Sequence, residues 1–218
     1  MRLLSLVHRS LALAAAATGL ALVAHAAPAS PSAPLKPRQA IATLAGGCFW
    51  CMETQFEGVP GVTSVISGYT GGHKVDPTYE EVGSGTTGHY ESVEVHYDPS
   101  RVSYEKLLWI FWHSIDPTQS DGQFCDIGTE YRAVIFTHDE SERRVAEQIR
   151  QKIQASGVLK KPIVTQIVAA GPFYPAEEYH QDFWKKDPVR YRTYRFGCGR
   201  DQRLARLWGK DAAKPTVH

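Results

Sequence analysis

The 218-residue sequence has almost no excess of charge of either sign, since 24 Lys and Arg residues face 23 Asp and Glu residues. A chain without a strong field of one sign cannot hold nucleic acid or an anionic membrane by charge alone. It also shows no internal repeat. We therefore expect no nucleic-acid partner and a single globular unit rather than a repeat array.

Long apolar runs are also scarce. The run from Leu11 to Ala24 follows a basic start and is too short to span a bilayer comfortably, and small residues at Ala24 and Ala26 suit a signal peptidase. We expect residues 1–26 to be a signal peptide, with an uncleaved N-terminal anchor as the alternative. The predicted location is periplasmic or secreted, with no stable membrane insertion after cleavage.

The rest of the chain divides by composition. Residues 27–38 are rich in Pro, Ala and Ser and predict an extended linker. Residues 39–209 have the length of one domain with a substantial core, and residues 210–218 are predicted to be a flexible tail.

Cysteine is sparse, with four residues in all: Cys48, Cys51, Cys125 and Cys198. In an exported protein the default interpretation is two structural disulfides, although a domain of this length does not need them. A zinc site would need a second close pair or two histidines at ligand spacing, and neither Cys125 nor Cys198 has a histidine within five residues. We therefore expect no metal.

The spacing of apolar residues predicts alternating strands and helices. Predicted strands cover Ala40–Leu44, Val62–Tyr69, Ser92–Tyr97, Ala133–Phe136 and Thr165–Ala169, and predicted helices cover Cys48–Phe56, Ser103–His113, Asp139–Ala155 and Asp201–Gly209. This order indicates an α/β or α+β fold. Long connections at Gly71–Gly88, Asp116–Glu130 and Gly171–Pro188 are where a site is expected.

Cys48 follows the turn Gly46-Gly47, where the first strand passes into the first helix. A thiol at a helix N-terminus faces unpaired N–H groups and the positive end of the dipole, which favour the thiolate. The Cys48-x-x-Cys51 spacing suits redox exchange, metal binding or a structural disulfide, and the bulky Phe49 and Trp50 between the cysteines indicate an apolar pocket.

The run from Gly46 to Glu53, GGCFWCME, resembles the signature of the A-type peptide methionine sulfoxide reductases. Further matches occur in order over roughly Ala45 to Gly199, at Gly68–Gly72, Pro77–Tyr79, Thr87–Glu91, Tyr97–Pro99, Gly128–Arg132 and Phe173–Glu177. The resemblance implies an α/β fold, specifically an α+β two-layer sandwich with helices packed on a ferredoxin-like mixed sheet. It also implies reduction of methionine S-sulfoxide, in proteins or free, with no cofactor.

The same resemblance assigns roles in catalysis. Cys48 matches the nucleophile that attacks the sulfoxide sulfur, and Glu91 matches the acid that protonates the departing oxygen. A partly buried carboxyl can hold a proton near neutral pH because desolvation raises its pKa. Without the flanking motif, Glu91 would be interpreted as a solvated charge on a strand.

The resemblance also supplies substrate-binding residues. Tyr79 and Tyr131 match tyrosines whose hydroxyls bind the sulfoxide oxygen, and Asp126 matches a carboxylate near that oxygen. Phe49 and Trp50 would hold the S-methyl group, although either could simply anchor the first helix in the core.

Turnover requires a second thiol to convert the sulfenic acid to a disulfide, and an outside dithiol, here a thioredoxin-like protein, to reduce it. Cys198 matches the family's C-terminal resolving position, while Cys51 is the competitor, at a spacing that a rigid helical turn would strain. Cys125 is expected to be a packing residue, with a free thiol or a second exchanger as alternatives. The helix predicted after Cys198 departs from a loose tail and would restrict Cys198.

Two other functions fit parts of the pattern: a general thiol-disulfide oxidoreductase using Cys48 and Cys51, and a non-catalytic exported domain held by two disulfides.

Overall fold

The computed structural model describes residues 39–216. The predicted signal peptide, residues 1–26, and the predicted linker, residues 27–38, lie outside the described residues. Within the described part, every helix is too short or too polar to cross a membrane.

Eight strands are present in the described residues: β1 Ala40–Gly46, β2 Val62–Thr70, β3 Tyr90–Tyr97, β4 Gly122–Gln123, β5 Asp126–Ile127, β6 Ala133–Thr137, β7 Gln166–Ala169 and β8 Phe173–Pro175. The α-helices are α1 Phe49–Phe56, α2 Tyr79–Gly83, α3 Tyr104–Trp112, α4 Glu140–Ser156, α5 Phe183–Lys186, α6 Pro188–Gly197 and α7 Arg200–Trp208.

Six strands form one sheet in the order β7-β6-β1-β3-β2-β8, and β4 and β5 form a separate short hairpin. The pairs β6–β1, β1–β3 and β3–β2 are antiparallel, whereas β6 and β7 are parallel and joined by α4. The series β1-α1-β2-β3-α3-β6 with strand order β6-β1-β3-β2 is the split βαβ arrangement of ferredoxin-like folds. The predicted mixed sheet with packed helices is thus confirmed.

The main core lies between this sheet and the helices. Leu44 of β1 and Val93 and Val95 of β3 belong to the main cluster of buried apolar residues, together with Met52 of α1 and Trp112 of α3. The alternation predicted for Ser92–Tyr97 therefore holds at Val93 and Val95. A smaller cluster of Ala45, Val134 and Phe136 is separate from the main one, so β1 and β6 are buried on both faces and have nearly continuous apolar sequences.

Side-chain caps fix the helix starts that the sequence predicted. Ser103 accepts a hydrogen bond from the Lys106 N–H at 3.1 Å at the start of α3, and Asp139 accepts from the Glu142 N–H at 2.8 Å at the start of α4. The long connections also contain elements that were not predicted, namely α2, α5, β8 and the β4–β5 hairpin.

The predicted flexible tail, residues 210–218, is attached to the domain as far as Thr216. The Thr216 N–H donates to the Thr54 carbonyl at 2.8 Å, and the Ala213 N–H donates to the His113 carbonyl at 2.9 Å. The end of the described chain therefore lies against α1, the helix that follows Cys48.

Candidate active site

A glycine turn places Cys48 at the start of α1. Gly47 has a φ of +84°, and a Cβ on it would lie 2.7 Å from the Gln123 side chain, so both backbone and space require glycine. Cys48 is the N-cap residue, with a non-helical φ of −49° and ψ of 122°. Its carbonyl accepts the Cys51 N–H at 3.1 Å, so the cysteine pair spans the first turn while Cys48 itself stands outside the helix.

The Cys48 and Cys51 thiols are free and buried, and each affects the ionisation of the other. Burial raises the pKa of Cys48, and its contacts with Cys51, Glu91 and Asp126 act in the same direction. The hydrogen bond from Cys48 lowers the pKa of Cys51 to about 6 against the opposing effect of burial, with help from the guanidiniums of Arg200 and Arg195. Of the two thiols, Cys51 is therefore the one that ionises more readily.

Glu91 of β3 is buried beside this pair. Its Oε2 accepts the Phe49 N–H at 3.0 Å, which ties β3 to the first residue of α1. Burial raises the pKa of Glu91 to about 8, in opposition to that hydrogen bond, and the nearby Asp126 and Glu130 carboxylates add to the rise. Glu91 is therefore protonated at neutral pH and is not a solvated strand residue.

A small cavity of about 100 Å³ opens above Cys48. Its lining residues are Cys48, Phe49, Trp50, Tyr79, Glu91, Asp126, Tyr131 and Tyr194. The structure thus brings together the predicted nucleophile, the predicted acid and all the predicted substrate-binding residues. A larger and more open groove of about 510 Å³ lies elsewhere, beside Cys198, and holds none of these groups.

Tyr79 and Tyr131 present neutral hydroxyls to the cavity. Burial raises the pKa of Tyr79 to about 12 and also raises the pKa of Tyr131, with the Glu91 carboxyl adding to both shifts. Both phenols therefore keep their protons at neutral pH and are available to donate to an oxygen in the cavity.

His180 supports the aromatic wall of the cavity and was not predicted from the sequence. The Trp50 Nε1–H donates to His180 Nδ1 at 3.1 Å, and the imidazole centroid lies 5.0 Å from that of Phe49 and 4.4 Å from that of Tyr79. Trp50 stacks on Phe183 at 3.8 Å. Burial lowers the pKa of His180, so the imidazole is neutral and fixes the aromatic side chains without adding charge.

Tyr194 of α6 is the other unpredicted group. Its hydroxyl donates to Asp126 Oδ2, and burial raises the pKa of this carboxyl. Tyr194 precedes Cys198 by four residues in one helix, a spacing that places both on the same helical face. This spacing is the signal by which Tyr194 could have been found.

Cys125 and Cys198 form a disulfide. The expectation that Cys125 is a packing residue is wrong, because it is exposed at the surface and covalently bonded. Cys198 is the last-turn cap of α6, and its sulfur lies 3.9 Å from Asp126 Oδ2. The predicted helix after it is present as α7, which buries Leu204 and Trp208, so Cys198 is not on a loose tail.

This disulfide should contribute measurably to stability, since it closes a loop of 73 residues in sequence separation. We expect its removal to lower the free energy of unfolding by about 2–4 kcal/mol, through the greater entropy of the unfolded chain. The measurement is urea unfolding of the double variant Cys48→Ser/Cys51→Ser with and without a reductant, so that only Cys125 and Cys198 respond. Equal midpoints under both conditions would contradict this expectation.

Two clusters of described residues have side chains of the types that bind metals: Cys125, Asp126 and Cys198, and Glu53, Glu57 and Asp182. The two sulfurs of the first cluster are bonded to each other. In the second, Lys185 forms ion pairs with Glu57 and Asp182. Neither set of ligands is free in this state.

A nucleophilic cysteine, a carboxyl that is protonated at neutral pH and a small aromatic pocket on a ferredoxin-like sheet define a cysteine-dependent enzyme. A sequence model of the peptide methionine sulfoxide reductases matches residues 40–212. The chain belongs to the peptide methionine sulfoxide reductase family.

Individual relatives agree with this assignment. The peptide methionine sulfoxide reductase MsrA of Bacillus licheniformis is 54% identical over 173 residues, which are 79% of this chain and 96% of the relative. The MsrA of Bacillus subtilis is 51% identical over 175 residues, covering 80% and 99%. Among solved structures, methionine sulfoxide reductase A of Corynebacterium diphtheriae is similar with a TM-score of 0.62 and 34% identity, covering 71% of this chain and 77% of that one.

Proposed function

We propose that this chain reduces methionine S-sulfoxide, in oxidised proteins and as the free amino acid, with Cys48 as nucleophile and Glu91 as acid. The observation that carries the assignment of roles is the position of the Cys48 sulfur and the protonated Glu91 carboxyl on the wall of one small cavity. A sulfoxide needs both groups, since its sulfur is attacked while its oxygen leaves as a protonated group.

The reaction balances with one cysteine and one proton donor. The Cys48 thiolate attacks the sulfoxide sulfur and forms a transient S–S bond while Glu91 protonates the oxygen. The hydroxyl then passes from the substrate sulfur to the Cys48 sulfur as the S–S bond breaks, which leaves methionine and a sulfenic acid on Cys48. The substrate sulfur gains two electrons and the Cys48 sulfur loses them. Tyr79 and Tyr131 hydrogen-bond the oxygen, and Phe49 and Trp50 contact the methyl group, whose small size suits a cavity of about 100 Å³.

The states of the four cysteines favour Cys51 as the resolving thiol over the predicted Cys198. Cys198 is already bonded to Cys125, whereas Cys51 is a free thiol in the same helical turn as Cys48, with its N–H donating to the Cys48 carbonyl at 3.1 Å. The strain expected of a disulfide within one helical turn is relieved because Cys48 has a non-helical backbone. Attack of Cys51 on the sulfenic acid releases water and leaves a Cys48–Cys51 disulfide for a thioredoxin-like dithiol to reduce.

Export of the chain to an oxidising compartment, the periplasm or the exterior, is part of the proposal. Two features support it: the signal-like residues 1–26 and the Cys125–Cys198 disulfide, of which Cys125 is exposed. Disulfides of this kind persist outside the reducing cytosol.

A single-turnover experiment tests the function and the resolving step together. Protein with Cys48 and Cys51 reduced and the Cys125–Cys198 disulfide intact is mixed with excess methionine sulfoxide and no reductant. We expect about one equivalent of methionine and a new Cys48–Cys51 disulfide, found by peptide mapping. Absence of methionine would refute the function, while a Cys48–Cys198 bond would restore Cys198 as the resolving thiol.

A further inference from the structure

Arg200, the first residue of α7, carries a buried guanidinium next to the active-site turn. The residue is 1% exposed. Its Nη2 donates to the Gly46 carbonyl at 2.7 Å and to the Ser114 carbonyl at 3.1 Å, and lies 3.4 Å from the Met52 sulfur. The guanidinium is therefore bound to residues on both sides of the Cys48-x-x-Cys51 segment.

The other face of the guanidinium is closed as well. The Phe124 ring covers it at 4.5 Å, and Nη1 lies 3.6 Å from the position that a Cβ on Gly47 would occupy. Phe124 adjoins Cys125, and Arg200 follows Cys198 by two residues, so the Cys125–Cys198 disulfide joins the two segments that enclose this cation.

Arg200 forms no salt bridge among residues 39–216, although its charge opposes the rise that burial causes in the pKa of the Asp126 carboxyl, and its Nε has no hydrogen-bond acceptor there. Its neighbours differ in this respect. Arg195 pairs with Asp201 at 2.6 Å, and Arg203 pairs with Asp116 at 2.7 Å. A buried cation is costly unless a negative charge compensates it, and the carbonyl contacts supply only dipoles.

We infer that Arg200 is a positioning residue that holds the Cys48–Cys51 pair as one thiol and one thiolate, with the negative charge on Cys51. The inference rests on the proposed function, in which Cys48 is the nucleophile. It adds a role for Cys51 before resolution, as the base that accepts the Cys48 proton.

The proton step is balanced within the pair. As the sulfoxide enters, the proton on the Cys48 sulfur passes to the Cys51 sulfur, and Cys48 becomes the attacking thiolate. Cys51 is then a thiol when the sulfenic acid forms on Cys48. Its attack makes the disulfide and releases the hydroxyl oxygen as water, with the Cys51 proton supplying the second hydrogen.

Other titratable groups face the Cys48–Cys51 pair from the neighbouring elements. The sign of their charge distinguishes the arginines from the rest. The acidic and phenolic groups are Glu91 of β3, Asp126 of β5, Tyr79 of α2, Tyr131 before β6, and Tyr191 and Tyr194 of α6. All of these oppose a thiolate or are neutral. Arg200 and Arg195 are the groups that lower the pKa of Cys51 by charge, and Arg195 is already paired with Asp201.

The test measures thiol ionisation rather than sulfoxide reduction. The rate of Cys48 and Cys51 alkylation by iodoacetamide is followed from pH 4 to 10 by mass spectrometry, with the Cys125–Cys198 disulfide intact. In Arg200→Gln, whose amide retains donors for the Gly46 and Ser114 carbonyls, we expect the lowest midpoint of the pH profile to rise by about one unit or more. Arg200→Lys, which retains the charge, should restore it at least in part.

The matched control is Arg203→Gln, which removes a guanidinium from the same helix and leaves a carboxylate at Asp116. Its midpoint should equal that of the unaltered protein. An unchanged midpoint in folded Arg200→Gln would overturn the inference. If the Gln variant does not fold, a midpoint in folded Arg200→Lys as high as that of a free thiol would also overturn it. The alkylation result does not depend on sulfoxide turnover, so either idea can fail alone.

Discussion

Replacement of Cys48 by Ser should reduce methionine sulfoxide turnover to background, a loss of roughly 10⁴-fold or more. The serine hydroxyl has nearly the shape of the thiol but is a much weaker nucleophile at neutral pH, and it cannot form the sulfenic acid or the disulfide. The measurement is methionine released per enzyme under excess dithiol, quantified by chromatography.

The matched control is Cys51→Ser, which keeps the nucleophile. This variant should still release methionine in the first turnover and then stop or slow, because the sulfenic acid on Cys48 loses its adjacent partner. The proposed base is also lost, so the first turnover should be slower than in the unaltered protein. Turnover by Cys48→Ser above a few per cent of the unaltered rate would remove Cys48 from the mechanism.

Replacement of Glu91 by Gln should reduce the rate of sulfoxide reduction by about 10²–10⁴-fold, the usual contribution of a positioned acid. The amide oxygen can still accept the Phe49 N–H, so the start of α1 should be kept, but the amide cannot release a proton to the departing oxygen. Cys48 alkylation should persist in this variant, which separates loss of the acid from loss of the thiol.

The pKa values of Glu91 and Cys51 predict the direction in which activity changes with pH. The Glu91 pKa is raised to about 8, so its protonated form exists below that pH and activity should fall as pH rises through about 8. The Cys51 pKa is lowered to about 6, so activity should also fall as pH drops through about 6. In Glu91→Gln the fall in activity at alkaline pH, the alkaline limb of the pH profile, should disappear. The fall in activity at acid pH should remain.

Glu53 provides a demanding control for the alkaline limb. Its carboxyl is also buried, with a pKa raised to about 8, but it accepts the Asp182 N–H at 2.8 Å and does not line the cavity. Glu53→Gln should therefore leave the limb near pH 8 in place. If the limb disappears in Glu53→Gln and survives in Glu91→Gln, the two carboxyls have been assigned the wrong way round.

The fold was predictable where the spacing of apolar residues follows one period, that of a strand or that of a helix. The alternation at Val93 and Val95 and the apolar spacing after Ser103 and Asp139 predicted β3, α3 and α4 to within about two residues. The missed helix α6 begins with Asp187 capping the Arg190 N–H and Pro188 at its first position, a recognised start signal. It has no long apolar stripe, because it buries Tyr191 and Arg195 rather than aliphatic residues.

The cavity lining was predictable by motif, and the groups behind it were not. Tyr79 and Asp126 lie on long connections and Tyr131 directly follows one, and only the resemblance distinguished them from other polar residues. The pairing of Cys125 with Cys198 depends on how α6 folds back over the β4–β5 hairpin, and no spacing in the sequence encodes that contact. Arg200 likewise gains its environment from three distant segments, which a local sequence pattern does not report.

The position of α6 and α7 after the strands has a consequence for biosynthesis. All strands in the described residues are complete at Pro175, yet Tyr194, Cys198 and Arg200 follow it. A nascent chain that has emerged only that far has every strand of the sheet but lacks the groups that enclose the cysteine pair. The Cys48 and Cys51 sulfurs of that nascent chain would stay accessible to unwanted oxidation until α6 and α7 have emerged and docked.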